Sequence, residues 1–566
     1  MSRRLVPVAA ALVAAIALVL GGCTVIPRSG PVNAGGSVQQ RSNDSGQIEF
    51  RPVGPQLNAS QESILDGFLA AAVSPAGGFQ VARGFLSAEF STQWNPDASV
   101  TIDNESARSA PVRVSDTEQR IDVHPAAFLD APGGYLAAAS PAPIPLQYSF
   151  VKEGGQWRIS KAPDGIVIDE ARFQDVFTSR TLYFFSPDFA FLVPDERWFP
   201  ATESAAATQV VRALLAGPAK WLAGSVVSAF PAGAQLAGTS VPTRNGAAQV
   251  ALNAAAASAD QQAVDRMYAQ LETSLSSTSS VGAVQLTIDG VDRSGVLPAN
   301  LQRDPSVGPS PVVVKGGALG TLSGDAVAAL PGVGKTVGAL TPSAVSVSAT
   351  GTVAAVLAHG SVYAVRGTDS SDVDDRAGLV APSLDTAGDV WSVPSGSPDD
   401  FRITAPGVSR TAITAAWPNA ASLAAFAVSR DGTRVAALVR TTSLQLHLMV
   451  AGIQPDSSGR PGHLGDPIDL GGTGLTAGRA LTWVDELTLG VLGGAPQAPS
   501  EVVIQVIGGM RSNEAAPAGA VSLAAGSAGQ LWALTDKGSL QSLQGSGWQQ
   551  VTAGVGVLAT ALGRLP

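Results

Sequence analysis

Four stretches in the second half of the chain repeat one pattern, and that repeat constrains the fold more than any other feature. They are Val347-Ser-Ala-Thr-Gly-Thr-Val-Ala-Ala-Val, Pro382-Ser-Leu-Asp-Thr-Ala-Gly-Asp-Val-Trp-Ser-Val, Val428-Ser-Arg-Asp-Gly-Thr-Arg-Val-Ala-Ala-Leu and Leu523-Ala-Ala-Gly-Ser-Ala-Gly-Gln-Leu-Trp-Ala-Leu. Each reads as a strand, a small-residue turn and an alternating strand, as a hairpin of buried Val, Ala and Leu requires. The turn glycines are Gly351, Gly388, Gly432 and Gly529, at gaps of 37, 44 and 97 residues; the last gap has room for a degenerate copy around Trp483–Val491. A period of about forty residues of four-strand units is the signature of a β-propeller. About five or six such blades fit between Pro311 and Pro566, so residues 308–566 are expected to form an all-β propeller. Helical periodicity largely vanishes there. Two β-sandwiches, the competing architecture, would not require a repeating turn.

The opposite end is built differently. Arg3 and Arg4 precede an uncharged apolar run, Leu5 to Leu20, closed by Gly21-Gly22-Cys23. A basic start, a short apolar centre and small residues at its end describe an export signal. The run is slightly short for a membrane span. Leu20-Gly21-Gly22-Cys23 resembles the lipobox of bacterial lipoproteins. The resemblance implies a thioether-linked diacylglycerol on Cys23 and cleavage before it, which makes residues 1–22 a signal peptide. An uncleaved anchor with an incidental cysteine is the plain alternative. Residues 23–47, rich in Gly, Ser, Asn, Gln and Pro, read as a flexible tether. Loss of residues 1–22 moves the net charge from -10 to -12. An acidic chain without a basic run has no footprint for nucleic acid, so membrane contact must come from the lipid. With a single cysteine, an internal disulfide framework is excluded.

Residues 48–180 begin with two helices. Asn58 and Gln61 are spaced for a capping box ahead of Ile64, Leu65, Phe68, Leu69 and Ala72, and a second helix carries Val81, Phe85 and Phe90. Strand-like pieces follow at Val100–Ile102, Val112–Val114, Gln119–Val123, Tyr135–Ala138, Leu146–Val151 and Trp157–Ile159. Two helices and a curved antiparallel sheet resemble the α+β cone of the nuclear-transport-factor-2-like superfamily. In residues 181–300, paired strands flank Ser186-Pro187-Asp188, a helix opens near Ser204 and stops at Gly217-Pro218, and a helix capped by Ser258 and Gln261 precedes Val284–Ile288. The runs Leu192-Val193-Pro194, Leu214-Leu215-Ala216-Gly217-Pro218, Phe230-Pro231 and Val250-Ala251-Leu252-Asn253 resemble the α/β GerMN domain. That domain brings no agreed catalytic residues.

Few stretches of the chain carry the residue patterns of known chemistry. Ala329-Leu-Pro-Gly-Val-Gly334-Lys335-Thr336 has the spacing of a phosphate-cradling loop, which needs a strand before and a helix after. Val337-Gly-Ala-Leu-Thr-Pro342 is not expected to supply that helix. His124, His359, His447 and His463 stand without a second ligand at metal spacing, so no metal is expected. His447, opposite in parity to its leucines, reads as solvent-facing. Ser371–Arg376 reads as a solvated acidic turn lacking the glycine and glutamate of a calcium loop. Trp391, Trp483, Trp532 and Trp548 read as sheet core. Neither a nucleophile elbow nor a Ser-x-x-Lys pair occurs. The expectation is a protein that is not an enzyme and holds no cofactor.

Lipobox, cone-like piece, GerMN-like piece and propeller, in that order, resemble the LpqB lipoproteins of actinobacteria. The resemblance implies a lipid-anchored accessory protein on the extracytoplasmic face of the cell membrane. Its implied partner is the extracellular domain of a sensor histidine kinase of the MtrA–MtrB system, linked to cell-wall metabolism and division. A propeller enzyme of quinoprotein or lyase type would need clustered His, Arg and carboxylates. A solute-binding lipoprotein would need strand–helix alternation throughout. The sequence shows neither pattern.

Overall fold

The turn glycines set the architecture of the C-terminal part. In the computed structural model, which describes residues 52–138, 142–406, 411–415, 417–494 and 499–565, Gly351, Gly388, Gly432 and Gly529 have φ of 70°, 78°, 70° and 73°. Each joins the first to the second strand of a four-stranded antiparallel sheet, where a left-handed residue closes the reversal. The signal peptide, tether and Cys23 lie outside the described residues.

Six such sheets follow one another. In sheet 1 the chain's last strand, Val557–Ala561, pairs with Val312–Lys315, which continues to Ala318–Ser323 and Ala326–Ala329. Sheet 2 is Ala344–Val347, Val353–Ala358, Ser361–Arg366 and Asp369–Asp374; sheet 3 is Ser383–Leu384, Val390–Ser392, Asp400–Thr404 and Thr411–Thr414. Sheet 4 is Ala420–Val428, Arg434–Thr441, Leu446–Pro455 and Pro461–Leu464, with Ile468–Gly472 also on its third strand. Sheet 5 is Gly478–Trp483, Thr488–Gly493, Glu501–Val506 and Arg511–Ala515, and sheet 6 is Ala520–Ala525, Leu531–Thr535, Leu540–Gln544 and Gly547–Thr552. The first strands of sheets 1 to 6 touch their neighbours in cyclic order, the sixth meeting the first again. Those of sheets 1 and 2 run parallel, Ser346 opposite Thr560. Apolar faces of adjacent sheets pack together, with Trp391, Phe401, Trp417 and Phe426 filling one interface.

Helix is not wholly absent here. Val333–Ala339 forms a seven-residue helix where Lys335 and Thr336 were expected to lie in a loop. Val333 and Val337 bury against sheet 1, and a Cβ on Gly334 or Gly338 would strike the backbone of Leu319 or Gly317. The glycines of the loop-like motif are therefore packing residues, and Lys335 is exposed.

Two modules precede the ring. The first opens with helix Gln61–Ala72, capped by Ser60 accepting from the Ser63 N–H, not by Asn58. The helix Ala76–Arg83 is interrupted by left-handed Gly77, Gly78 and Phe79. In place of one antiparallel sheet there are two. One is all antiparallel; in the other Ser99–Asp103 pairs parallel with Ile166–Asp169, a strand absent from the sequence reading. Ile166-Val-Ile is short and follows a loop, so periodicity gives it little signal. In the second module, Phe177–Phe185 and Phe191–Pro200 form a long hairpin. Ala247–Leu252 and Ala283–Ile288 pair parallel across helix Gln261–Leu275, whose cap is Asp260, not Ser258.

Candidate recognition site

Alternating strands and turns give the ring two ends. First-to-second and third-to-fourth strand turns lie at one end; second-to-third turns and the links between sheets lie at the other.

At the first end, acids and hydroxyls build the turns. Asp385 accepts from the N–H groups of Ala387 and Asp389 (both 3.0 Å), Asp431 from Thr433 (2.9 Å), and Asp485 from Leu487 and Thr488 (2.8 and 2.7 Å). Each local bond fixes a turn that would otherwise sample many conformers. Asp385 also takes the Trp391 indole N–H at 3.0 Å, which locks the turn to the core. These carboxylates are committed to structure.

The two N-terminal modules cover this same end. Trp198 donates its indole N–H to the Gly508 carbonyl at 2.8 Å, and Gln454 donates to the Ala223 carbonyl at 2.8 Å. The Tyr183 hydroxyl donates to Glu486 at 2.6 Å, while Arg303 stands 3.4 Å from the same oxygen and over the Tyr183 ring. Burial pushes the Glu486 carboxyl up, and the Tyr183 hydrogen bond and Arg303 only partly offset it. Burial likewise raises Asp304, which lies nearby on the connecting segment. That segment is pinned. Gln302–Arg303 pairs parallel with Phe191–Leu192, and Val307 is buried. The modules are joined in turn by Arg197, whose Nη1 donates to Pro132 O at 3.3 Å while a buried bidentate pair within the second module, Nε and Nη2 to Asp195 at 3.0 and 2.8 Å, fixes the guanidinium.

Along the axis runs a cavity of about 410 Å³ lined by the first strands. Its walls are Ala, Val, Leu and Ser, with Arg430 and Arg479 its charged side chains. Arg430 donates to Trp483 O at 2.7 Å and Arg479 to Ala520 O at 2.7 Å, so both arginines hold neighbouring sheets together.

The residues singled out in the sequence do not converge. His124, on the first module, is half-buried; His359 and His463 are exposed. His447 is a correction: it is buried, its Nδ1 2.9 Å from Asp469. The cause is sheet packing: residues of His447's parity, Met449, Ala451 and Ile453, bury against sheet 3, so both faces of this strand are covered, and Ile468–Gly472, paired along its edge, supplies Asp469. No group of three His, Cys, Asp or Glu among the described residues could hold a metal ion. Trp391, Trp483 and Trp532 are buried, and Trp548 is half-buried.

Ser371–Arg376 is also corrected. Its first four residues finish the outer strand of sheet 2, Asp369–Asp374, and Asp374 is fully buried, paired with Arg376 at 2.6 Å and Arg402 at 3.5 Å and accepting from Ser392 at 2.6 Å. Burial acts to raise this carboxyl, but the hydrogen bonds from Arg376 and Ser392 outweigh it and hold it below the usual range. A depressed carboxylate contributes stability that is present above its unfolded pKa, about 3.9, and is lost as pH falls through the folded value. Asp374→Asn should cost about 3 kcal/mol at pH 7, because two part-buried guanidinium groups lose their partner. Thermal melts from pH 7 to pH 3 should show the gap between variant and wild type closing at the acid end. A gap that stays constant with pH would contradict the assignment.

Comparison with known proteins fits this layout. Residues 54–174 match a family described as the N-terminal domain of lipoprotein LpqB. Residues 181–294 match one described as sporulation and spore germination, and residues 317–559 match the lipoprotein LpqB beta-propeller domain. Lipoprotein LpqB of Thermobifida fusca is 30% identical over 324 residues, covering 53% of this chain and 50% of that protein. Lipoprotein LpqB of Cutibacterium acnes is 28% identical over 280 residues, covering 50% and 46%. The chain spans about half the length of the curated relatives it matches. The first GerMN domain of the sporulation protein GerM from Bacillus subtilis is 20% identical, covering 21% of this chain and 92% of that one, with a TM-score of 0.18.

Proposed function

Since the chain belongs to the LpqB lipoprotein family, we propose that it is a lipid-anchored, extracytoplasmic accessory protein that modulates a membrane sensor histidine kinase of the MtrA–MtrB type, and so cell-wall metabolism and division. In this reading Cys23 carries the lipid. The first module is a nuclear-transport-factor-2-like cone, the second a GerMN-like spacer, and the six sheets are the blades of a propeller. Its action is recognition and not catalysis.

The observation that carries the reading is the division of labour between the two ends of the ring. One end is consumed by the N-terminal modules, and the other is left to loops on a rigid frame, where binding residues usually sit. The shifted acids support it as well: Asp374, Asp385 and Glu486 are spent on turns and joints. A membrane tether confines both partners to one surface, so a modest intrinsic affinity suffices.

The test is titration of the purified full mature chain against the purified extracytoplasmic domain of the sensor, followed by calorimetry. A saturable complex with a dissociation constant of about 1–100 μM is expected, in the range of small transient interfaces. No binding at about 1 mM would remove the sensor reading.

A further inference from the structure

The charge of the axial cavity runs against that of the chain. The chain carries a net charge of -10, yet no carboxylate lines this cavity of about 410 Å³, and its charged groups are two guanidiniums. Arg479 lies at the start of the first strand of sheet 5 and so stands at the open end. Arg430 follows the first strand of sheet 4 and stands at the covered end. Each spends one nitrogen on the sheets. Nη1 of Arg479 donates to Ala520 O at 2.7 Å and to Ser500 Oγ at 3.3 Å, and Nη2 of Arg430 donates to Trp483 O at 2.7 Å and Val484 O at 3.2 Å. Asp304 and Asp485 stand near enough to Arg430 to offset its charge. Arg479 has no ion pair among the described residues, and its Nε and Nη2 make no bond to the protein. They form the planar fork that takes a carboxylate or phosphate through two parallel hydrogen bonds.

The interior matches that fork with hydroxyls. Ser346 and Thr482 are 2% and 5% exposed and line the cavity, and neither hydroxyl has a hydrogen-bond partner in the protein. Ser343 and Ser522, also on the wall, donate to Leu357 O and Leu558 O at 3.1 and 3.5 Å. A buried hydroxyl left unpaired costs stability, so two of them on one small-residue wall point to something that pairs with them. Ala344, Ala381, Ala424, Ala480 and Gly556 keep the axis open where larger side chains would fill it. The covered mouth is shut: Arg430 and Leu562 also line a second hollow with Phe191, Gln302, Pro305 and Ser306, so the second module and its link stand across it. Entry is from the open end, past Arg479. Three residues of strand, about 10 Å, separate Arg479 from Thr482.

We propose that the axial cavity binds a hydroxylated organic anion of disaccharide size, a sugar acid or a sugar phosphate, with its oxyanion on Arg479 and its hydroxyls on Ser346 and Thr482. The volume is that of an ordinary small-ligand site, and a few placed polar groups among apolar walls are its usual form. The inference does not rest on the sensor reading, and either can fail alone.

The experiment is calorimetric titration of the full mature chain with lactobionate, with lactose 1-phosphate and with the neutral lactitol. At least one anion should bind saturably with a dissociation constant below about 1 mM, and lactitol should bind at least about 10-fold more weakly. The tighter anion tells whether the site takes a carboxylate or a phosphate. Arg479→Gln should weaken that anion about 10-fold or more, and Thr482→Val about 2- to 10-fold. Thr482→Val should melt at or above the wild-type temperature, because it removes an unpaired buried hydroxyl, so its weaker binding is not misfolding. Lys335→Gln, a charge change on the exposed face of the ring, should leave binding unchanged. No saturable binding of either anion at about 10 mM overturns the inference. So does lactitol binding as tightly as the anions, or a loss in Lys335→Gln equal to that in Arg479→Gln. Wild-type affinity in both Arg479→Gln and Thr482→Val would place any binding elsewhere and overturn it as well.

Discussion

A chain ended at Gly556, lacking the strand Val557–Ala561, is expected to lose the entire ring and not a single strand. That strand pairs antiparallel with Val312–Val314 and parallel with Ser346–Val347, so it closes sheet 1 and joins it to sheet 2. Val557, Leu558 and Ala559 are 3–5% exposed and feed two separate clusters. Their burial alone contributes about 5 kcal/mol. That is comparable with the whole net stability of an ordinary domain, about 5–15 kcal/mol. The truncation also bares the edges of Val312–Lys315 and Ala344–Val347, which are apolar templates for aggregation. The measurement is soluble yield and a thermal melt, with a chain ended at Gly563 as control. The shorter chain should be insoluble or melt without cooperativity, and the control should melt within a few degrees of wild type. A cooperative melt of the shorter chain near the wild-type temperature would show that the ring does not depend on this closure.

That dependence was not legible in the sequence, and the reason is distance. Hairpins such as those at Gly388 and Gly432 are local: alternation and a turn glycine announce them within about a dozen residues. The pairing of Val313 with Leu558 spans the whole ring and is chosen by closure. The same limit explains the misreadings. Parity placed His447 on a solvent face, because nothing local says that sheet 3 packs on the face it shares with Met449, Ala451 and Ile453. Ser371–Arg376 looked solvated, because an acid run gives no hint that Arg402, from the next sheet, will reach Asp374.

The candidate site was legible only in outline. Absence of a nucleophile motif and of metal spacing pointed to recognition, and a rigid disc pointed to its loops. Which end is free could not be read, since it turns on contacts such as Trp198 with Gly508 and Tyr183 with Glu486, some three hundred residues apart.

Cys23→Ala carries the other large effect, because it removes the only proposed link to the membrane without touching the folded part. Among the described residues no helix is long and apolar enough to cross a bilayer. The acidic chain gives no electrostatic substitute for lipid, since anionic headgroups repel it. Two acyl chains anchor stably whereas one is marginal, at about 0.8 kcal/mol for each buried methylene, so loss of the diacylglycerol is close to all-or-none. In membrane fractionation, wild type should pellet with the envelope, cleaved before residue 23. The variant should escape lipoprotein processing and keep residues 1–22 or be released. Globomycin, which blocks the lipoprotein peptidase, should make the unprocessed wild-type form accumulate. Purified variant should still bind the sensor domain with wild-type affinity, while the cellular phenotype matches that of a deletion, because untethered chain loses the local concentration that a shared membrane provides. If untreated wild type instead keeps residues 1–22 while membrane-bound, the apolar run is an uncleaved anchor, and the lipid on Cys23 has no part in holding the protein there.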